Sequence, residues 1–352
     1  DRPGMDSQKT NSYGMKVFHS LDGFELQSYT SSTDTNVIFS YDADWGNTDS
    51  HFPYVYDYFS ETLRDRKSFN QEFRAVSDSA DFQKNSFFEW VIGANYLELK
   101  ESNLKKDDGL YGDPSDPYGP YASASASSSK YKSSNFSVFG NLDYLLSASL
   151  KFSIGLRWED WEADYSDSLQ ESFNPTDKMS GGKISLIKNM TNDTNMYASL
   201  AKGYKQGGFN LGLGLDANAT NKNLAYDPEF LTNYELGLNT KLLGSRVTFN
   251  GVLFYSDRED QQVLISTQTD PSDPNTFSFL TQNAAEGVNH GLEINMDMDI
   301  NQSLSAFVNL GILKTEIKNW QSRQDLEGRA QAHAPERSYA LGLNWAPTSH
   351  TY

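Results

Sequence analysis

Apolar and polar residues alternate with a period of two along most of the chain. Leu292, Ile294, Met296, Met298 and Ile300 are separated by Glu293, Asn295, Asp297 and Asp299. Phe152, Ile154, Leu156 and Trp158 alternate with Lys151, Ser153, Gly155 and Arg157. Tyr234, Leu236 and Leu238, and again Tyr339, Leu341, Leu343 and Trp345, follow the same rule. Successive side chains of a strand point to opposite faces, so each run has one apolar and one polar face. Helical periodicity is scarce. The pattern predicts strands over residues 14–20, 24–45, 67–78, 86–103, 133–146, 148–166, 177–188, 195–206, 230–243, 246–265, 277–300, 303–318 and 336–347.

Alternation alone does not name the solvent, because a half-buried antiparallel sheet shows it too. The connections add what the strands lack. Short links (Asp22-Gly23, Ser79–Asn85, Ser147-Ala148, Asn189–Thr194, Gly244-Ser245 and Asn301-Gln302) alternate with long ones near 46–66, 104–132, 167–176, 207–229, 266–276 and 319–335. Short turns at one end and long loops at the other are the habit of outer-membrane barrels. Several strands exceed the roughly 9–11 residues that cross a bilayer at a tilt, whereas soluble strands usually have about 5–6. Rings recur near strand ends, at Tyr96, Trp158, Tyr197, Tyr255, Trp320 and Trp345, as barrel girdles require. The expected fold is therefore all-β, a transmembrane antiparallel β-barrel. The stretch 104–132, rich in Pro, Gly and Ser, is expected to be an outer loop without strand.

Composition narrows the classes. Lysine plus arginine is 29 and aspartate plus glutamate 47, a formal net charge of −18 that argues against a nucleic-acid partner. Aromatics at 13% argue against a disordered acidic chain. There is no cysteine, hence no disulfide and no thiolate metal site. No run approaches about 18 apolar residues, so no transmembrane helix is expected. The beginning, Asp1-Arg2-Pro3-Gly4, carries no signal-peptide pattern, and the chain is expected to be a piece of a longer protein.

Catalytic and metal chemistry find little support. The five histidines (His19, His51, His290, His333 and His350) show no paired ligand spacing. Asp107, Asp108, Asp113 and Asp116 form an acidic patch without EF-hand spacing, and a solvated loop is the simpler reading. Gly212-Leu213-Gly214 lacks a third glycine and a following helix. Ser127-Ser128-Ser129-Lys130 matches SxxK only inside a serine run. No catalytic residue, metal ligand or cofactor is expected. Glu235, Glu293, Asp297 and Asp299 are expected to line a wet barrel interior.

An ordered set of motifs adds a family. NMYASLAKGYKQGGFN (195–210), Asp227-Pro228-Glu229, YELGLNTKLLGSRVTFNGVLFYSDREDQQ (234–262), QNAAEGVNHGLEINMD (282–297) and GRAQAHAPERS (328–338) occur in order. Upstream stand FNQEFRAVSD (69–78) and WVIGANY (90–96). Together they resemble the barrel of TonB-dependent outer-membrane receptors. The resemblance implies a barrel of about 22 strands, of which some 13 are counted here. The chain is then a partial TonB-dependent receptor β-barrel domain over residues 1–352, without the plug and without the barrel's ends.

What the resemblance further implies is energy-coupled import of a scarce ligand across the bacterial outer membrane, most commonly a ferric siderophore. Cobalamin, haem or an oligosaccharide are rarer cargoes, and a passive porin-like channel or a soluble glycan-binding sheet protein are the competing readings. The implied partners are outer-membrane lipid, the inner-membrane coupling protein TonB acting through a plug, and the ligand. Pockets for such ligands use convergent rings and a few polar groups. The outer-loop candidates are His51, Tyr54, Tyr111, Tyr118, Tyr121, Phe209 and Tyr226. Lys202, Lys205, Arg246 and Arg258 are cations that could meet an anionic ligand, although ordinary surface charge is the simpler reading.

Overall fold

The computed structural model describes residues 2–44, 46–47, 49–78, 87–168, 172–210, 225–268, 277–320 and 323–346. The expected turn at 79–85, the Gly212-Leu213-Gly214 stretch and His350 lie outside the described residues. Among the described residues, thirteen long strands carry the fold. They are β1 (Met5–Leu21), β2 (Phe24–Asp42), β3 (Val55–Ser77), β4 (Phe88–Gly112), β5 (Tyr121–Ser147), β6 (Leu150–Asp167), β8 (Thr176–Asn189), β9 (Thr194–Lys205), β12 (Glu229–Leu242), β13 (Val247–Gln268), β14 (Phe277–Asn301), β15 (Leu304–Asn319) and β16 (Arg337–Trp345). Two-residue strands β7 (Ser172–Phe173), β10 (Gly208–Phe209) and β11 (Ala225–Tyr226) decorate them. The long strands pair in chain order from β1 to β16, with β7 on β6. Each neighbour is the next long strand, so the sheet is an up-and-down antiparallel meander, as barrels are built. The path has two ends, β1 and β16, and every residue of β1 is exposed.

Several strands run further outward than alternation predicts. β1 begins at Met5 and β3 at Val55, and the expected loop at 104–132 is strand except for residues 113–120. The reason is physical. Beyond the apolar part of the sheet both faces meet water, so pairing no longer needs an apolar face. Ser-Ala repeats then continue the ladder with no hydrophobic pattern to announce it. Only Asp113–Pro120, with its three prolines and Gly119, leaves the strand.

The chain divides into two compact units, one of Asp1–Ala75, Gly93–Val138 and Glu159–Lys178, the other of Val76–Ile92, Phe139–Trp158 and Met179–Tyr352. In the second unit the register makes the two faces explicit. Leu186, Ala198, Leu236, Leu253, Leu292 and Ile312 stand opposite one another on successive strands. The next row toward the short turns is Met196, Leu238, Gly251, Ile294, Leu310 and Tyr339. Most of these side chains are exposed, including Leu253, Ile312 and Tyr339. An apolar surface so continuous is not a water-facing one.

The other face is polar in the same register. Asn189, Asn195, Asn239, Asn250, Asn295 and Asn309 form one row across six strands, and Asn239 donates to Asn195 at 2.9 Å. Glu235, Glu293, Asp297 and Asp299 share that face by strand parity. Tyr197 also lies there. Its ring covers Gly237, where an added Cβ would come within 2.0 Å of Tyr197 Cε1, so only glycine lets the ring cross the strand.

The first unit follows the same rule. Phe69 and Phe73 of β3, Tyr96 of β4, and Phe136 and Val138 of β5 are exposed on one face. The opposite face carries a buried polar layer. Trp161, 1% exposed, donates from Nε1 to Ser133 Oγ at 2.7 Å, and Asn135 donates to Glu159 at 2.6 Å.

Candidate ligand-binding site

Five rings of the first unit form a continuous chain at the outer end of its polar face. His51 stands 4.8 Å from Tyr56, Tyr56 4.9 Å from Tyr58, Tyr58 6.4 Å from Tyr111, and Tyr111 5.9 Å from Tyr121. Strand geometry brings them together. Tyr56 and Tyr58 are two apart on β3 and share a face, and Tyr111 closes β4 as Tyr121 opens β5. Gly109 leaves the space that Tyr58 fills, since a Cβ there would meet Tyr58 Cδ1 at 2.4 Å. Ring pairs at these separations favour offset or tilted packing and present π faces to a ligand. Tyr121 donates its hydroxyl to Asp116 at 2.9 Å, which holds the phenol above its usual titration range. Burial, then the neighbouring Tyr56 and Tyr111, push the Tyr58 phenol up as well. The Tyr58 and Tyr121 phenols therefore stay protonated near pH 7.

Further down the same face lies a charged group. Glu101, 7% exposed, accepts from Arg66 Nε at 2.7 Å and from Asn103 at 2.9 Å, with Arg64 Nε 3.5 Å away. Burial opposes ionisation of Glu101, but the bonds from Asn103 and Arg66 and the charge of Arg64 outweigh it and hold the carboxylate below its usual range. Two guanidiniums to one carboxylate leave a positive excess on this part of the face. Arg64 and Arg66 keep about half their side-chain surface exposed.

The structure thus assembles His51, Tyr111 and Tyr121 of the expected residues. Tyr54 stands in the adjoining turn, with its N–H on the His51 carbonyl at 2.9 Å. Tyr118 is at the loop tip, 85% exposed and outside the ring chain. Tyr56, Tyr58, Arg64 and Arg66 were not among the sequence candidates. The alternation in Tyr54-Val55-Tyr56-Asp57-Tyr58 could have revealed the first two. The acidic patch does not converge. Ser60 donates to Asp107, Arg2 to Asp108, Ser115 to Asp113, and Tyr118 N–H to Asp116. No group of three metal-ligating side chains occurs among the described residues.

Phe209 and Tyr226 belong to the second unit, and their setting is a latch. Gly208–Phe209 pairs with Ala225–Tyr226, and Phe209 is buried. Asn210 and Thr281 exchange two hydrogen bonds, at 2.8 and 2.6 Å. Asn283 accepts from Asp227 N–H at 2.6 Å and donates to the Asp227 carbonyl at 2.8 Å. Glu229 holds Arg258 and accepts from the Gln262 N–H at 2.9 Å, while Gln262 Nε2 donates to the carbonyls of Gln206 and Asp227 at 2.9 and 3.0 Å. A β-bulge between Arg258 and Gln262 aims those side chains inward, with Asp260 at φ +53°. These are residues of the motif blocks at 195–210, 227–229, 258–262 and 282–297. Their work here is to fasten the two roots of one long outer connection. Of the candidate cations, Arg258 is committed to Glu229, Lys202 lies over the Phe230 ring at 5.0 Å, and Arg246 binds carbonyls of Asp299 and Ile300 beside a short turn.

Comparison with known proteins agrees with this architecture. The ferric yersiniabactin uptake receptor FyuA from Yersinia pestis superposes with a TM-score of 0.68 at 18% identity, covering 96% of this chain and 47% of that one. The siderophore receptor PiuA from Acinetobacter baumannii gives 0.67 at 15% identity, covering 97% and 53%. The copper transporter OprC gives 0.70 at 14% identity, covering 97% and 50%. The chain therefore spans about half the length of these solved structures. At such identities the likeness speaks for the fold alone. The profile of the family described as "TonB dependent receptor-like, beta-barrel" matches residues 2–351. The chain belongs to the TonB-dependent receptor-like β-barrel family, whose members are barrels of the outer membrane.

Proposed function

We propose that this chain is a wall segment of a receptor that imports a scarce ligand across the outer membrane with energy from TonB. The reading takes residues 1–352 as part of the barrel domain and assigns the coupling contact to a plug outside this chain. The preferred cargo is a ferric siderophore. The carrying observation is the ring chain His51–Tyr56–Tyr58–Tyr111–Tyr121 at the outer end of the polar face, with Arg64 and Arg66 on that face below it. Stacked rings suit the planar chelating groups of such ligands, and guanidiniums suit their negative charge. FyuA and PiuA, whose names describe siderophore uptake and reception, share the fold and so support the direction.

In this reading the rings capture the ligand from outside, the arginines draw it inward, and Glu235, Glu293, Asp297 and Asp299 line the wet path. His51, Tyr54, Tyr111, Tyr118 and Tyr121 are the ligand contacts of this end, while Phe209 and Tyr226 of the second unit hold the root of a long connection there. No step calls for catalysis by this chain. The test is uptake of radiolabelled ferric catecholate, hydroxamate and citrate chelates by cells that make the whole protein or its Tyr56→Ala/Tyr58→Ala variant. One chelate should be taken up, and the variant should reduce its uptake at least tenfold. Equal uptake by cells lacking the protein, for every chelate, would remove the siderophore reading.

A further inference from the structure

The ring chain is held from behind. Strand alternation puts Tyr56 and Tyr58 on one face of β3 and Asp57 and Phe59 on the other. On β4 it puts Gly109 and Tyr111 on the ring face and Asp108 on the reverse. Arg2 lies across that reverse face at the outer end of three strands. Its Nη1 donates to Asp108 Oδ2 at 2.5 Å and stands 3.9 Å from Asp57 Oδ1. Its backbone N–H donates to Asp42 Oδ2 at 3.1 Å. The guanidinium carbon sits 4.3 Å from the centroid of the Phe59 ring. Three neighbouring strands, β2, β3 and β4, thus each give Arg2 one carboxylate.

All three carboxylates lead to Tyr58. Asp57 precedes it in the chain. Asp108 precedes Gly109, whose open space the Tyr58 ring fills. Asp42 precedes Ala43, whose N–H donates to the Tyr58 carbonyl at 2.7 Å. Arg2 therefore joins, from the back, the three backbone segments that seat the middle ring. The next link of the ring chain, Tyr58 to Tyr111 at 6.4 Å, is the widest of the four and runs between β3 and β4, the two strands that Asp57 and Asp108 belong to.

A lone exposed ion pair is worth little, and the Arg2, Asp57 and Asp108 side chains are 37%, 52% and 50% exposed. A network is worth more than its pairs. Among the described residues Arg2 is the only cation within ion-pair distance of Asp57 or Asp108. The nearby Lys105 and Lys106 are turned to Asp107 and Glu61. Without Arg2, like charges would face one another across neighbouring strands, which destabilises a sheet. Arginine suits the place. Its planar fork reaches two carboxylates at once while its face covers a ring, whereas a lysine ammonium is a point charge.

We propose that Arg2 is a positioning residue of the ligand site, which sets the spacing of Tyr58 and Tyr111 by tying Asp57 to Asp108 and Asp42 on the reverse face of the wall. It does not meet the ligand. The inference rests on the reading of the ring chain as the place where the ligand is captured, and adds to it a residue on the opposite side of the sheet.

The test runs amide hydrogen exchange and titration with ferric catecholate, hydroxamate and citrate chelates on the whole protein in detergent. Arg2→Gln should speed exchange about fivefold or more in residues 56–60 and 107–111, and leave the amides of 194–204 as they were. It should weaken the chelate that the parent binds by about tenfold. Arg2→Lys keeps the charge without the fork and should lose no more than about threefold. Adding Asp57→Asn and Asp108→Asn to Arg2→Gln removes the stranded charges and should bring both readouts back to within about threefold of the parent. Unchanged exchange in Arg2→Gln would overturn the proposal, and a fall in affinity beside it would mean that Arg2 meets the ligand itself. Faster exchange with unaltered affinity would also overturn it, since the ligand would then not use the spacing that Arg2 sets. If the parent binds none of the chelates, the siderophore reading falls by itself, and the exchange pattern still upholds or removes the tie between β3 and β4.

Discussion

Gly109 lies directly beneath the ring of Tyr58, with room for the ring only because the glycine has no Cβ; an added one would stand 2.4 Å from Tyr58 Cδ1 and 2.7 Å from the Asp57 carbonyl. That contact seats the middle ring of the chain between Tyr56 and Tyr111. Overpacking of this kind costs about 1–3 kcal/mol. Gly109→Ala should displace Tyr58 and weaken binding of the accepted ferric chelate about tenfold, with the barrel still folded. Fluorescence titration of the purified protein measures it. Unchanged affinity would mean that Tyr58 does not touch the ligand.

Glu101 supplies the pH dependence of the same region. Its folded carboxylate titrates below the ordinary value of 4.5, through the bonds from Asn103 and Arg66 that outweigh burial. The stabilisation is present above that value and disappears as pH falls through the folded pKa. Glu101→Gln should therefore melt below wild type at pH 7, and the gap should shrink as pH drops below about 4.5. Thermal unfolding in detergent at several pH values reads this. A gap that stays constant, or widens in acid, would contradict the arrangement.

The latch makes a local prediction. Glu229→Ala removes the partner of Arg258 and the acceptor of the Gln262 N–H. Removing one member of a buried pair costs about 3–5 kcal/mol, and the partial exposure of Arg258 puts this case at the lower end. Hydrogen exchange should accelerate in residues 225–230 and 258–262, while the strand amides of 248–254 keep their protection. Uniform acceleration along β13 would show that Glu229 supports the whole sheet and not one loop root.

Much of this was legible in the sequence. Alternation in Leu292–Ile300 and Tyr234–Leu238 placed β14 and β12 within a few residues of their observed ends, and the long strands number 13 as counted. The apolar face writes that pattern only where lipid touches it. Tyr121–Ser129 is strand without lipid, so its Ser-Ala repeat looked like loop, and so did Val55–Arg66. The site suffered for the same reason. Of the rings that adjoin one another, residue type alone points to His51, Tyr111 and Tyr121, whereas Tyr56 and Tyr58 lie in a stretch whose alternation carries no lipid-facing pattern. Arg64 and Arg66 were missed with them. Phe209 and Tyr226 are candidates because they flank a long connection, and the hydrogen bonds of Asn210, Asp227, Gln262 and Asn283 that fasten their neighbourhood leave no pattern in the sequence.

The central claim is that one face of this sheet meets lipid and the other lines a polar interior. None of these 352 residues is cysteine, so within this chain an introduced one is the single thiol to label. Cysteines placed one at a time from Thr248 to Tyr255 of β13 and labelled with a fluorophore can be quenched by nitroxides carried on lipid chains. Labels at Phe249, Gly251, Leu253 and Tyr255 should be quenched, and those at Thr248, Asn250, Val252 and Phe254 should not. Quenching without a period of two, or confined to the second set, would contradict a membrane barrel wall.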